Sequence, residues 1–98
     1  MVFIFFSHIH IGMEVVCHEL ERLYDSGLAY TRVVKAFRNR LGDGACTALH
    51  RLLVLQGKNP EWDTHMEELH LSHNRISISG ALTLLDACKF GASQKYSL

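Results

Sequence analysis

Seven histidines and three cysteines are the residues of this 98-residue chain best suited to chemistry. Two histidine pairs stand at short spacing, His8-x-His10 and His70-x-x-His73. Imidazole nitrogens at such spacing can bind zinc, and Cys17 would offer a thiolate as a third ligand. No Cys-x-x-Cys pair accompanies them, so the spacing alone does not assemble a zinc site.

Nucleophilic catalysis is the second chemistry to consider, because Ser, Cys, His and Asp are all present. The chain has no G-x-S-x-G elbow, no H-E-x-x-H pair and no phosphate-binding loop. Helical register places Cys46 in or beside an apolar stripe, where a thiol acts as a small hydrophobic group. The cysteines are widely spaced and odd in number, which favours reduced thiols in an intracellular protein. We therefore expect no enzyme activity and no cofactor.

Composition indicates a single small folded domain without a strong charge preference. Hydrophobic residues make up 48% of the chain and proline occurs once, which argues against wholesale disorder. Ten basic and ten acidic residues cancel, so we expect no nucleic-acid partner. The opening MVFIFF lacks the basic start of a signal peptide, and no apolar run reaches the ~18–20 residues that span a bilayer. The expected location is cytoplasmic or otherwise intracellular, away from membranes.

The chain matches itself when it is displaced along its own sequence. Asn74 of LHLSHNRI falls on Asn39 of VKAFRNRL, a shift of 74 − 39 = 35, and Leu69 then falls on Val34. A more divergent copy lies at the amino end, where SHIHI aligns with SHNRI and Ile9 replaces the asparagine. Three units at a spacing of roughly thirty residues indicate a stacked repeat.

Each unit is predicted to form a short strand, a turn and a helix with one apolar face. The helical halves align with one inserted residue, which puts Gly80 on Gly44. Asp43 and Ser79 stand where helix amino ends need side-chain acceptors. The apolar stripes are predicted at Ala45, Leu49, Leu52 and Leu53 in the middle helix, and at Ala81, Leu84, Leu85 and Cys88 in the last. One unit has too few apolar groups for a core, so the units must stack.

These residues resemble leucine-rich repeats of the ribonuclease-inhibitor-like type. ELHLSHNRISISGALTLL has the L-x-L-x-x-N-x-I core followed by Gly-Ala and a leucine-rich helix. VVKAFRNRLGDGACTALHRLL is a second copy, with Val34 and Ala36 where leucines are usual, and FIFFSHIHIGMEVVCHELERL lacks the asparagine. The resemblance covers the chain from about Ile4 to Cys88.

The resemblance implies the α/β class, as a short right-handed solenoid with parallel strands on the concave face and helices on the convex face. The repeat domain is expected over residues 1–90, in units of about 2–30, 31–66 and 67–90, before a frayed tail at 91–98. In this family the asparagine amide satisfies backbone groups of the turn, which gives Asn39 and Asn74 a structural role.

Members of this family commonly bind protein partners on the concave face. Alternation along the strands puts Phe5, Lys35 and His70 in one outward-facing row. The alternative is that this face is solvated and contacts no partner. The candidate partner-binding residues are Lys35, Phe37, Arg38, Glu68, His70, Ser72 and His73.

A second row contains His8, Arg38 and His73, and it weighs against a metal site. The two histidines would lie two strands apart, about 10 Å, which is too far for one ion without another ligand between them. Arg38 occupies that middle position and would repel a cation. We therefore expect no metal.

The function expected is a non-catalytic module that binds an unidentified protein through the concave face. One alternative is a truncated fragment of a longer repeat array without independent function, because neither end looks like a dedicated cap. Such uncapped ends would also allow self-association. The other alternative is a GTPase-activating relative, since some family members act on a small GTPase through a repeat-rim surface where Arg38 would lie.

Overall fold

The computed structural model describes residues 2–5, 12–36, 40–58, 66–87 and 95–97. The four strands are parallel and lie in one sheet in the order of the chain. The α/β class predicted from the sequence is confirmed. Strands and helices alternate as β1 (Val2–Phe5), α1 (Met13–Asp25), β2 (Thr31–Lys35), α2 (Asp43–Gly57), β3 (Glu68–His70), α3 (Ile78–Ala87) and β4 (Lys95–Ser97).

Strand pairing reproduces the displacement found in the sequence. Val34 of β2 pairs with Leu69 of β3, and Lys35 pairs with His70, both at a separation of 35 residues. On the other side of β2, Phe5 pairs with Lys35. The predicted row of Phe5, Lys35 and His70 across the sheet is therefore confirmed.

The carboxyl-terminal strand corrects one prediction. The sequence predicts a frayed tail at 91–98, but residues 95–97 form β4, which runs parallel to β3. Tyr96 pairs with Leu69 and Ser97 with His70, so the tail continues the rows of the sheet. Its polar composition concealed the strand, because strand formation depends on pairing context more than on intrinsic preference.

The core lies between the sheet and one layer of helices. Side chains from all three helices join Val34, Ala36, Leu69 and Leu71 in a single buried cluster. Helix α2 packs against both α1 and α3. Its predicted stripe is confirmed, since Ala45, Leu49, Leu52 and Leu53 are all buried. Within the described residues, no helix is long and apolar enough to cross a membrane.

The predicted stripe of α3 differs from the buried face, which lies about one residue closer to the amino end. Leu84 is buried as expected, but Leu85 is 53% exposed, and Cys88 lies outside the described residues. The buried face of α3 is formed by Gly80, Leu84 and Ala87. These residues fall on Ala45, Leu49 and Leu52 at the same shift of 35, so the helices align without the inserted residue.

The helix starts also differ from the prediction. Gly42 precedes α2 without a side-chain cap, and the Asp43 carboxylate instead accepts hydrogen bonds from the backbone N–H (2.9 Å) and hydroxyl of Ser77. Ser77, rather than Ser79, precedes α3, and its Oγ accepts a hydrogen bond from Gly80 N at 3.3 Å. Asp43, which we expected to cap its own helix, therefore links α2 to the start of α3 through hydrogen bonds.

Gly80 of α3 lies against Asp43 and Cys46 of α2, and we expect it to resist substitution. A Cβ at this position would lie 2.9 Å from Asp43 Cγ and 3.1 Å from Cys46 Sγ. Alanine normally favours a helix over glycine by roughly 0.5–1 kcal/mol, but Asp43 is held by Ser77 and cannot move aside freely. Gly80→Ala should therefore lower the free energy of unfolding by roughly 1–3 kcal/mol in a urea titration.

Gly44 provides the matched control on the α1–α2 side. A Cβ there would lie 2.6 Å from Glu14 Oε1, which is the far end of an exposed, flexible side chain. Because Glu14 can rotate away, Gly44→Ala should leave the stability unchanged or raise it by up to about 1 kcal/mol. Equal losses for the two variants would contradict this account of the packing.

Candidate functional site

The candidate site lies on the side of the sheet opposite the helices, which we call the strand face. Alternation turns Val34 and Leu69 toward the core and therefore Lys35, Glu68 and His70 toward the strand face. These three side chains are half-buried. Glu68 Oε1 and His70 Nε2 are 3.2 Å apart. The strand face thus carries a lysine beside a carboxylate–imidazole pair, on two neighbouring strands.

The strand face is not open along its whole length. Val33 pairs with Glu68 in the row before Lys35 and His70, yet it is only 3% exposed and lies outside the helix-side core cluster. Alternation puts Val33 on the same side of β2 as Lys35, but its side chain is buried there. The accessible part of the strand face is therefore displaced toward the carboxyl ends of the strands.

The turn after β3 presents two more candidate residues. Ser72 is half-buried, and His73 is exposed with a φ of 60°. This left-handed backbone conformation costs a non-glycine residue roughly 1–2 kcal/mol. Neighbouring bonds therefore have to hold the turn in place if His73 is to keep this position.

Asn74 supplies those bonds. Its Nδ2 donates to the carbonyl oxygens of Leu71 at 2.8 Å and Ala36 at 2.9 Å. Its Oδ1 accepts from Leu41 N at 2.9 Å. Ala36 and Leu41 belong to the preceding unit, so one amide satisfies the backbone of two adjacent turns.

Several candidates fall outside the described residues. They are Phe37, Arg38 and Asn39 from the middle unit and His8 and His10 from the first. Two hypotheses therefore stay predictions. One is the row of His8, Arg38 and His73, and the other is the GTPase-activating alternative, which depends on Arg38. No observation on the described residues favours that alternative.

The buried thiols are poorly suited to nucleophilic chemistry. Cys17 and Cys46 are free and buried. Burial, with smaller contributions from Glu21 and Glu14, raises the pKa of Cys17 to about 12. Burial, followed by the charge of Asp43, also raises the pKa of Cys46. Both thiols are therefore protonated at neutral pH, the form that attacks electrophiles poorly.

A groove on the helical side contains acidic, histidine and cysteine side chains, so we consider it as a metal site. The groove, of about 220 Å³ between α1 and α2, is lined by Glu14, Cys17, His18 and Glu21, among others. Among the residues that the structure describes, no three His, Cys, Asp or Glu side chains are grouped so that they could hold a metal ion.

Asp43 should make the stability of the α2–α3 contact depend on pH. The hydrogen bonds from the Ser77 side chain and backbone hold the pKa of the Asp43 carboxyl below its ordinary value. Its contribution is therefore fully present above the unfolded-state pKa of about 3.9 and is lost as the pH falls through the lower folded-state pKa. Asp43→Ala should melt below the wild type at pH 7, and the difference should shrink under acid conditions.

Thermal melts over a pH series would measure this difference. Ser77→Ala is the control, because it removes the hydroxyl donor and keeps the backbone one, so an NMR titration should show the pKa of Asp43 moving up toward its ordinary value. A difference between wild type and Asp43→Ala that stays constant with pH would show that the carboxylate charge is not responsible.

Known proteins offer no assignment for this arrangement. No protein-family model matches the chain, and no curated protein and no solved structure matches it either.

Proposed function

We propose that the chain is a short solenoid of the leucine-rich-repeat type that binds another protein without catalysing a reaction. The observation that carries the proposal is the in-register row of Phe5, Lys35, His70 and Ser97 across four parallel strands. A row of this kind places one residue from each strand at a fixed spacing of about 4.8 Å. Such a surface fits an extended or flat partner rather than a small molecule.

The chemistry of the strand face favours a protein partner. Lys35, Glu68 and His70 mix positive, negative and titratable groups, whereas a nucleic-acid surface would be dominated by lysine and arginine. The side chains are half-buried, so little side-chain entropy remains to be lost when a partner orders them. Exposed His73 extends the surface beyond the strand ends. In this proposal the strand face is the concave face of the solenoid.

The turn asparagine supports the repeat part of the proposal. Asn74 joins the turns of two successive units, and Leu41 and Ile76 occupy the position after the turn in each unit at the shift of 35. Both of these residues pack against the core. We extend the same structural role to Asn39 by its position in the repeat. An intracellular location, where free thiols stay reduced, completes the proposal.

Site-specific photo-crosslinking in cell extract tests the binding surface. A photoreactive amino acid at Ser72 should capture a protein, whereas the same group at Thr47, exposed on α2, should not capture it. Lys35→Glu combined with His70→Glu should abolish the capture at Ser72. Circular dichroism of each variant establishes that the fold is retained.

The matched control on the helical side is Arg22→Glu. It changes an exposed charge on α1 and should leave the capture at Ser72 intact. Capture that is equal at Ser72 and Thr47, or that survives the double substitution on the strand face, would overturn the proposal.

A further inference from the structure

Two exposed arginines lie on neighbouring turns, at the ends where the strands lead into the helices. Arg40 follows β2 and Arg75 follows β3, and the two positions match at the repeat shift of 35. The backbone N–H of Arg75 donates to the carbonyl oxygen of Leu41 at 2.8 Å, and Leu41 directly follows Arg40. A single backbone hydrogen bond therefore brings the two arginine positions together.

Neither arginine has an ion-pair partner among the residues that the structure describes. The other arginines of the described ranges each face a glutamate: Arg22 lies 3.0 Å from Glu19, Arg32 lies 2.6 Å from Glu67, and Arg51 lies 3.4 Å from Glu21. The unpaired arginine charge of the described residues is thus concentrated at these two turns.

The turns themselves bring no free carboxylate to the arginines. Within residues 36–44 and 71–80, the only acidic residue is Asp43, and its carboxylate already accepts two hydrogen bonds from Ser77. Residues 6–11 and 37–39, which lie outside the described part of the chain, contain no aspartate or glutamate. Glu14, at the start of α1, faces Gly44 of α2. Within the described residues, the two positive charges are therefore left to solvent or to a partner.

Arg40 keeps its position at an energetic cost. Its φ is 57°, in the left-handed region that costs a non-glycine residue roughly 1–2 kcal/mol, and glycine or asparagine adopts this conformation more readily. The turn is held because the next backbone N–H, that of Leu41, donates to Asn74 Oδ1 at 2.9 Å. A strained backbone that presents an exposed charged side chain is more typical of a ligand-binding surface than of a purely structural position.

We propose that Arg40 and Arg75 bind an acidic peptide segment of the protein partner, with each guanidinium donating to an aspartate or glutamate carboxylate. The inference rests on the proposed function, since it names the chemistry of the partner at the edge of the same surface. The strand face is accessible toward the carboxyl ends of the strands, and both turns begin there. A guanidinium can donate two parallel hydrogen bonds to one carboxylate, which gives such a contact a defined geometry.

The number and distribution of charges favour a peptide over nucleic acid. A protein that holds a nucleic-acid backbone typically makes roughly 6–10 phosphate contacts, whereas the described turns offer only two arginines and exposed His73. The carboxylate of Glu68 on the strand face would also repel a continuous run of phosphates. A peptide can combine carboxylates at the turns with uncharged or basic groups opposite Glu68.

Fluorescence anisotropy of the full chain with labelled short peptides tests the binding. The two probes alternate glycine with glutamate or glycine with glutamine, in a buffer of about 50 mM salt where charge contacts are weakly screened. Wild type should bind the glutamate peptide about tenfold more tightly than the glutamine peptide. Arg40→Gln combined with Arg75→Gln should remove this preference, and Arg75→Gln alone should weaken the binding about threefold.

The matched control is Arg22→Gln combined with Arg51→Gln, which makes the same change in net charge on α1 and α2. It should leave the affinity for the glutamate peptide within about twofold of wild type, because the substituted charges lie away from the turns. Equal weakening by the two pairs of substitutions would overturn the proposal. Tighter binding of an oligothymidylate of equal charge than of the glutamate peptide would overturn it as well.

Photo-crosslinking at Ser72 separates this inference from the proposed function. Capture should be lost in the variant that lacks Arg40 and Arg75 and kept in the control variant, and circular dichroism establishes that both are folded. Capture that survives the loss of the two arginines would overturn the acidic segment and leave the proposed function intact. No capture by the wild type would contradict the proposed function itself, and the peptide titration would then decide the arginine site independently.

Discussion

Asn74→Ala should lower the free energy of unfolding by roughly 3–5 kcal/mol, because it leaves several half-buried backbone groups without a partner. The amide of Asn74 bonds the carbonyls of Leu71 and Ala36 and the N–H of Leu41. Alanine replaces none of these bonds, and the turn that places His73 would lose its support. Such a loss is large against a total stability of about 5–15 kcal/mol for a domain.

Urea unfolding of Asn74→Ala beside Ser79→Ala measures this effect. Ser79 is exposed in the first turn of α3, and the sequence predicts it, wrongly, as the helix cap. Its replacement should change the stability by less than about 0.5 kcal/mol, as expected for a surface position. A loss below about 1 kcal/mol for Asn74→Ala would show that the turn does not depend on the amide.

Gln56→Leu should be the second strongly destabilising substitution, with a loss of roughly 2–4 kcal/mol. Gln56 is fully buried in α2, and its amide bridges the end of that helix to the start of β2. Oε1 accepts from Thr31 N at 2.9 Å, and Nε2 donates to Thr31 O at 2.7 Å. Leucine keeps the approximate volume but leaves both backbone groups of Thr31 buried and unpaired.

Thr31→Val separates this mechanism from simple packing. Both bonds from Gln56 go to the backbone of Thr31, so the substitution keeps them and changes only the side chain. Thermal melts should place Thr31→Val close to wild type and well above Gln56→Leu, because both Gln56 bonds and the approximate size of the side chain are retained. If Thr31→Val were as destabilising as Gln56→Leu, the two hydrogen bonds would not explain the effect.

The repeat was predictable because it depends on local pattern. The match of Asn74 with Asn39 set the shift of 35, and the same shift pairs Val34 with Leu69 in the sheet. The stripe of α2 follows from helical periodicity, since its buried residues are large and aliphatic. Part of the candidate site follows as well, because alternation along a strand determines that Lys35 and His70 share a face.

What the sequence could not provide depends on contacts between units. In α3 the buried face includes Gly80 and Ala87, whereas the more hydrophobic Leu82 and Leu85 are exposed. A prediction that gives more weight to large apolar side chains therefore places the buried face of α3 on the wrong side of the helix by about one residue. From the sequence alone, Asp43 resembles a helix cap. Only the structure shows that its carboxylate accepts a hydrogen bond from Ser77, at the start of the next helix. The burial of Val33 on the strand face gave no local signal either.

Successive β–α units stack in one register, which aligns Lys35 with His70 on the strand face. Cross-strand NOEs between backbone protons measure this register most directly. We expect NOEs that link Val34 with Leu69 and Leu69 with Tyr96 in parallel strands. A register displaced by one residue would contradict it, because a slip of one residue sends the side chains of a strand to the opposite face of the sheet.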